Sequence, residues 1–225
     1  MFDIIIPAYN ALSFSKECVK SIFQTTHPNM FRIIFVDDCS TDETHNWSDT
    51  IASLYDTFFV IHNDKNVGYV QSVLNGTEFS IDDDNSFPYI FVLNNDIVIN
   101  DRWVDGALEL FESDEKLAVI GAFGTKEVAG KKIDFISGSR LIVKKSVIER
   151  IGFYDPNFKF GYWEDVEFSY RVQKNGFKIK KYSFFEKHST HVKNVSFKHN
   201  SNRKTYYEDN RKYLENKINW GYYEY

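Results

Sequence analysis

Tyr89-Ile90-Phe91-Val92-Leu93-Asn94-Asn95-Asp96 is the stretch that decides how this chain of 225 residues folds. Five apolar residues without polar alternation suit a strand covered on both faces, and Asn-Asn-Asp then turns the chain towards solvent. A carboxylate, Asp96, therefore stands at the carboxyl end of a buried strand. In an open α/β sheet that is the edge where ligands bind, and an acid there can hold a divalent cation that in turn holds phosphates. Asn-Asn-Asp also makes a good turn, so a ligand site and a plain strand end both fit the segment taken alone.

Towards the amino terminus the same pattern repeats. Phe2 to Pro7 reads as a buried strand, followed from Ser13 by a helix carrying Phe14, Val19, Ile22 and Phe23 on one side. Ile33 to Val36 is the next strand. Asp37-Asp38-Cys39-Ser40-Thr41-Asp42 then offers cap residues to a helix through Trp47, Ile51 and Leu54. Phe58 to Ile61 is a third strand, Asn66-Val67-Gly68 a turn, and Val70, Val73 and Leu74 mark a third helix. Strands alternating with helices predict a mostly parallel sheet with right-handed crossovers, whose strand ends share one rim. That rim gathers Tyr9-Asn10, Asp37-Asp38, Asn66-Gly68 and Asn95-Asp96. The acidic run Asp82 to Ser86 reads as a surface connection.

Beyond Asp96 the pattern loosens. A helix with Trp103, Ala107, Leu110 and Phe111 leads to a strand at Leu117 to Ile120. Gly124 to Asp134 is polar and lysine-bearing, which predicts a mobile loop able to close over a ligand. Leu141 to Val143 is a short strand and Lys144 to Arg150 a helix. In the last twenty residues Tyr206, Tyr207, Tyr213, Trp220, Tyr222, Tyr223 and Tyr225 are interleaved with Lys and Arg, as in segments that lie at a membrane surface. Tyr207, Leu214 and Ile218 fall near helical spacing, which favours a packed terminal helix over lipid contact.

Composition limits what the chain can be. Hydrophobic residues at 43% and aromatics at 17% exclude general disorder, and four prolines with eleven glycines exclude a fibrous chain. A net charge of -5 argues against a nucleic-acid binder held by phosphate contacts. Cys18 and Cys39 are too few for a disulfide framework and suit reduced thiols, which predicts a cytoplasmic protein. No apolar stretch approaches the roughly 20 residues of a spanning helix, and no signal peptide is legible at the amino terminus. Membrane contact is expected to be peripheral at most, through the tail.

The chemistry concentrates on the rim. Neither the G-x-x-x-x-G-K-[ST] phosphate loop nor a G-x-G-x-x-G turn follows the first strands, which weakens an ATPase or a dinucleotide-dependent dehydrogenase. Asp38 can accept from the N3-H of a uracil or thymine, with Pro7-Ala8-Tyr9 as a wall, so a pyrimidine nucleotide fits; Asp38 equally suits the N-cap of the second helix. Glu164 and Asp165 open a helical run through Val166, Phe168, Tyr170 and Val172. The helix dipole there stabilises ionised acids, which suits either a cap or a base already deprotonated at neutral pH.

Taken together, Ile4-Ile5-Ile6-Pro7-Ala8-Tyr9-Asn10, Val36-Asp37-Asp38-Cys39-Ser40-Thr41-Asp42, Asn66-Val67-Gly68 and Leu93-Asn94-Asn95-Asp96 resemble glycosyltransferase family 2, of the GT-A fold. Ile136-Ser137-Gly138-Ser139, Ile151-Gly152-Phe153-Tyr154-Asp155 and Trp163-Glu164-Asp165-Val166-Glu167 continue the likeness, which runs over roughly residues 2 to 196. The resemblance implies an α/β fold: one Rossmann-like, mixed, mostly parallel sheet flanked by helices, with an acceptor-side subregion and a terminal helix. It divides the chain into a GT-A domain at 1–200, with a nucleotide-binding half at 1–100 and an acceptor-side half at 101–200, and a helical aromatic tail at 201–225.

By resemblance, Pro7, Ala8, Tyr9 and Asp38 hold the nucleoside of a UDP- or dTDP-sugar, with Asn66 and Gly68 close by. Asn95 and Asp96 occupy the family's acidic metal motif, for Mn2+ or Mg2+. The sequence departs from Asp-x-Asp there, so Asp96 needs help, and the resemblance implies His191, spaced ahead of Ser196, with His188 as its rival. Asp165 is implied as the general base towards an acceptor hydroxyl on a glycan, lipid-linked saccharide or protein. Glu164 then orients the acceptor, and Gly138 and Trp163 line the sugar pocket. In-line attack opposite the departing diphosphate implies inversion at the anomeric carbon. A catalytically silent sugar or nucleotide binder is the reading from another class, and a sugar nucleotidyltransferase the other enzyme; the latter lacks its Gly-rich basic loop here.

Overall fold

The structure is a computed structural model, and it describes residues 1–183 and 202–223. Strands β1 (Phe2–Ala8), β2 (Phe31–Asp37), β3 (Phe58–His62) and β4 (Tyr89–Leu93) alternate with helices α1 (Leu12–Thr25), α2 (Thr44–Leu54) and α3 (Tyr69–Asp82). There follow α4 (Val104–Ser113), β5 (Leu117–Val128), β6 (Lys131–Lys144), α5 (Lys145–Ile151), α6 (Glu164–Lys174), β7 (Lys178–Lys181) and α7 (Arg203–Asn219). One seven-stranded sheet runs in the order β3-β2-β1-β4-β6-β5-β7. β1 to β4 are mutually parallel, and β6 enters antiparallel against β4. The carboxyl ends of the first four strands share one rim, as the alternating pattern predicts.

Burial on both faces explains the unbroken apolar runs. On one face Ile5, Val36 and Val92 pack with Val73 of α3, Phe168 of α6, and Leu214 and Ile218 of α7. On the other, Ile4, Phe35 and Phe91 pack with Val19 and Ile22 of α1, and Ala107 and Phe111 of α4. Full burial of side chains of this size contributes about 1.5–3 kcal/mol each. The terminal helix is thus a packed element, as its spacing predicts. Trp220 and Tyr222 beyond it are exposed. No helix among the described residues is long and apolar enough to cross a membrane.

Polar residues inside this frame are tied down in pairs. Asp3, near the start of β1 and fully buried, faces Arg32 of β2 at 2.8 Å and 3.0 Å, and also accepts from Ser80 of α3. Arg32 reaches on to Asp83, which anchors part of the acidic run expected to be only a surface connection.

The expectation for Gly124 to Asp134 is overturned. The segment is the distal half of a β5–β6 hairpin, paired from Phe123↔Ile136 to Val128↔Lys131. Its polar residues alternate with Val128, Ile133 and Ile136, which are buried in the core, so a half-buried strand pair was hidden by composition. Ala129 and Gly130 turn the hairpin with φ of 49° and 71°, the paired positive values that a tight two-residue turn requires.

Candidate active site

The rim loops are fastened to one another before any ligand is considered. Asp38 follows β2, and its amide donates to Ala8 O at the end of β1. Its carboxylate accepts from Val67 N at 2.8 Å, Gly68 N at 2.9 Å and Asn63 Nδ2 at 2.9 Å. Of its two oxygens, Oδ2 takes one of these bonds and keeps a lone pair for a further donor. Asn10 Oδ1 receives Thr41 N at 2.7 Å, binding the loops after β1 and β2. The N-cap alternative for Asp38 fails: α2 begins at Thr44, whose amide donates to Asp42 Oδ1 at 3.0 Å. Pro7 and Ala8 are buried in β1, Tyr9 is half-buried and Asn66 exposed.

Gly68 has no side chain for a structural reason. Its φ is 87°, and a Cβ there would stand 2.7 Å from Phe160 Cα. That close approach brings the segment before α6 onto the rim, with Tyr69 N donating to Phe160 O. The segment is held in an uncommon conformation, since Phe160, Tyr162 and Trp163 have φ of 59°, 74° and 73°. Asn210 of α7 clamps it, donating from Nδ2 to Lys159 O, Gly161 O and Tyr162 O and accepting from Lys159 N. Nothing in the local sequence marks Asn210 beyond a polar residue on an otherwise packed helix face.

The acids emerge at the end of this strained approach. Gly138 N donates to Asp165 Oδ2 at 3.1 Å, and Val166 N to Asp165 Oδ1 at 2.8 Å. Glu164 is 4% exposed, and its Oε2 is buried without a hydrogen-bond partner among the described residues. A Cβ on Gly138 would lie 2.9 Å from the hydroxyls of Tyr69 and Tyr154 and 3.5 Å from Glu164 Oε1. The hydroxyl of Tyr69 donates to Gly138 O at 2.7 Å. One residue further, Ser139 O accepts from Asn94 N at 3.0 Å. Strand β6 therefore joins the Asn94-Asn95-Asp96 loop to the acid pair through two adjacent residues.

Burial outweighs the helix dipole here. Desolvation, and then the Asp165 charge, push the Glu164 pKa well above the usual carboxylate range. Desolvation also raises Asp165, against the pull of its backbone donors and of Lys126. Burial thus works against the ionised forms that the first turn of a helix favours, most strongly at Glu164. Lys126 reaches in from the hairpin, its Nζ 3.9 Å from the Trp163 ring centroid, and Tyr207 of α7 packs on the same indole.

At the end of β4, Asn95 turns inward, its Nδ2 donating to Ser15 Oγ of α1 at 2.9 Å. Asp96 is half-buried, and its charge adds to the burial that raises the Cys18 thiol. Asn94 Oδ1 is buried with no hydrogen-bond partner among the described residues. A carboxylate with a spare amide oxygen two residues before it is a set of hard oxygen donors, which fits Mn2+ or Mg2+ completed by diphosphate oxygens and water. His191, His188 and Ser196 lie outside the described residues. A separate nitrogen-bearing group, Asp37, His45 and His62, brings its donor atoms within 4.8 Å of one another at the ends of β2 and β3.

Comparison with known proteins gives a consistent set of relatives. The sequence model described as glycosyl transferase family 2 matches residues 3–223. The chain is 24% identical over 152 residues to the glycosyltransferase GlyG of Streptococcus pneumoniae, covering 67% of this chain and 48% of that protein. It is 24% identical over 205 residues to the low-salt glycan biosynthesis hexosyltransferase Agl10 of Haloferax volcanii, covering 79% and 63%. The chain thus spans about half to two thirds of the length of these relatives. In fold it is similar to GalNAc-T7, solved with UDP, GalNAc and Mn2+ (TM-score 0.69, 13% identity, 80% of this chain and 41% of that one). It is also similar to residues 1-349 of TarS from S. aureus in complex with UDP (TM-score 0.63, 18% identity, 84% and 59%).

Proposed function

This chain belongs to glycosyl transferase family 2, and from that premise we propose that it transfers a sugar from a UDP- or dTDP-sugar to a hydroxyl acceptor with inversion at the anomeric carbon. The observation that carries the reading is the link made by β6: Gly138 N–H on Asp165, and Ser139 O on the amide of Asn94. It sets a candidate base and a candidate diphosphate-binding loop on either side of one small residue.

In this reading Pro7, Ala8, Tyr9, Asp38, Asn66 and Gly68 hold the nucleoside, the free lone pair of Asp38 Oδ2 taking the N3-H of the base. Asn95 fixes the loop that presents Asp96. Asp96, with Asn94 and His191 as further donors, would hold a Mn2+ or Mg2+ ion, which when bound would supply positive charge against the departing diphosphate. Asp165, oriented by the amides of Gly138 and Val166, removes the proton of the acceptor hydroxyl as it attacks. Glu164, whose neutral form burial favours, orients the acceptor. Trp163 and Gly138 shape the pocket, and the bareness of Gly138 lets the hydroxyls of Tyr69 and Tyr154 stand beside Glu164. UDP and Mn2+ in the GalNAc-T7 structure and UDP in the TarS structure support this donor and metal. A glycan, a lipid-linked saccharide or a protein supplies the acceptor hydroxyl.

The test is transfer from a panel of nucleotide sugars with Mn2+ or Mg2+, with product stereochemistry followed by NMR. Inversion with a uridine or thymidine donor is expected; retention at the anomeric carbon would overturn the assignment of Asp165. Binding of donor with no hydrolysis or transfer to any acceptor would move the reading to a silent binding protein.

A further inference from the structure

Away from the acid pair, four titratable side chains form a cluster that sugar transfer does not use. Asp37 ends β2 and is fully buried, while its register partner His62 ends β3. Helix α2 adds His45 and, one turn later, Asp49. Both imidazoles aim the same nitrogen at one oxygen: His62 Nδ1 lies 3.0 Å and His45 Nδ1 3.3 Å from Asp37 Oδ2. The two rings stack with centroids 3.8 Å apart. Behind them His62 Nε2 is 2.9 Å from Asp49 Oδ1, and His45 Nε2 is 3.8 Å from Asp49 Oδ2.

Hydrogen bonding constrains the protons. Both neighbours of His62 are carboxylates, so a neutral ring would put a bare nitrogen lone pair against a carboxylate oxygen on one side or the other. Two remedies exist. Either the ring carries a second proton, or a cation sits between Nδ1 and Asp37 while Nε2–H donates to Asp49. His45 aims Nδ1 at the same Asp37 oxygen, which a single divalent ion can share between the two rings while both stay neutral.

We infer that Asp37, His45 and His62 form a binding site for a borderline divalent ion of the Zn2+ class, distinct from the cation of the diphosphate site. Two imidazoles and one carboxylate with an open position are a Zn2+ donor set, and nitrogen ligands disfavour Mg2+. Tetrahedral bonds of about 2.0–2.1 Å put donor atoms about 3.3 Å apart, the spacing that Asp37 Oδ2 already has to the two imidazoles. Asp49 is the outer carboxylate that orients the rings, the usual companion of a metal-bound imidazole. His45 is half exposed, which leaves an entry path and room for water as fourth ligand. Strand β1 lies between β2 and β4, so Asp37 and the Asp96 loop are about 10 Å apart, too far to share an ion. The ion would pin β2, β3 and α2 beside Asp38.

The experiment uses the full chain with His27, His188, His191 and His199 each changed to Ala, so that other imidazoles do not compete, stripped with chelator and titrated with Co2+ and Zn2+. One equivalent of Co2+ with tetrahedral visible absorption, displaced by Zn2+, is expected, as is a rise in melting temperature with Zn2+ and none with Mg2+. His62→Gln and His45→Ala should each weaken Zn2+ binding at least 100-fold, and Asp49→Asn 10- to 100-fold. No stoichiometric binding, or binding unchanged in the His45→Ala/His62→Gln double variant, would overturn the site and leave a proton-bridged cluster. Should the double variant fail to fold, nitrogen NMR of the imidazoles in the parent decides: Zn2+ must shift Nδ1 of His45 and His62, and unmoved signals would overturn the proposal.

Discussion

Two parts of the same rim treat a buried carboxylate in opposite ways. Asp38, beside Cys39 and Gly68 with φ of 62° and 87°, accepts three hydrogen bonds, two of them from backbone amides. Glu164 follows a backbone run with positive φ, is as deeply buried, and has one oxygen with no partner among the described residues. The first arrangement stabilises the fold; the second lowers stability and leaves bonding capacity unspent. In a folded protein, capacity left unspent at a buried group is what a bound partner can take up. The difference therefore separates a carboxylate that fastens the rim from one that keeps bonding capacity for a partner.

Four variants can break or sharpen that contrast. Asp165→Asn should lower transfer about 10³-fold while changing UDP affinity by less than about twofold, since a general base contributes 10²–10⁴ to rate; transfer assays and calorimetry with UDP check it. Parallel loss of rate and affinity would erase the contrast. Asp38→Ala should destabilise the fold by about 2–4 kcal/mol and lower the melting temperature by about 5–15 °C, because the amides of Val67 and Gly68 lose their acceptor. Asn210→Ala should cost about 1–3 kcal/mol in denaturant unfolding and reduce kcat more than it raises KM, because the clamp orders the segment carrying the acids without touching substrate.

The smallest effect has the opposite sign. The folded-state pKa of Glu164 lies above its unfolded value. As pH rises from the unfolded value towards the folded one, the unfolded chain releases its proton first, and stability falls. Glu164→Gln should therefore raise the melting temperature by about 3–6 °C near pH 7.5, with the gain fading towards pH 4, while transfer declines. Thermal melts at the two pH values check it; a gain of equal size at both would show that ionisation is not its source.

How far the sequence could be read follows the same division. β1 to β4 are apolar runs whose burial on both faces is written in composition, and the rim loops follow from parallel topology. Asp38 and Gly68 stood out by motif, yet the bonds from the amides of Val67 and Gly68 to Asp38 did not, because a turn's amides carry no side-chain signal. The hairpin was misread because Lys126, Lys131 and Lys132 outweigh in composition the buried Val128 and Ile133. Glu164 and Asp165 were found from a motif, but their protonation depends on burial, which local sequence cannot report. Asn210 was missed altogether: its role lies in carbonyls 48 to 51 residues earlier in the chain.

That clamp also orders events during synthesis. By the time Lys181 has been added, every strand of the sheet exists, and the rim around Asp38 has all its own contacts. The segment bearing Glu164 and Asp165 still lacks Asn210 and the aromatic face of Tyr207, which arrive with α7. An elongating chain thus holds every residue of the rim around Asp38 before it holds those that clamp the segment bearing Glu164 and Asp165.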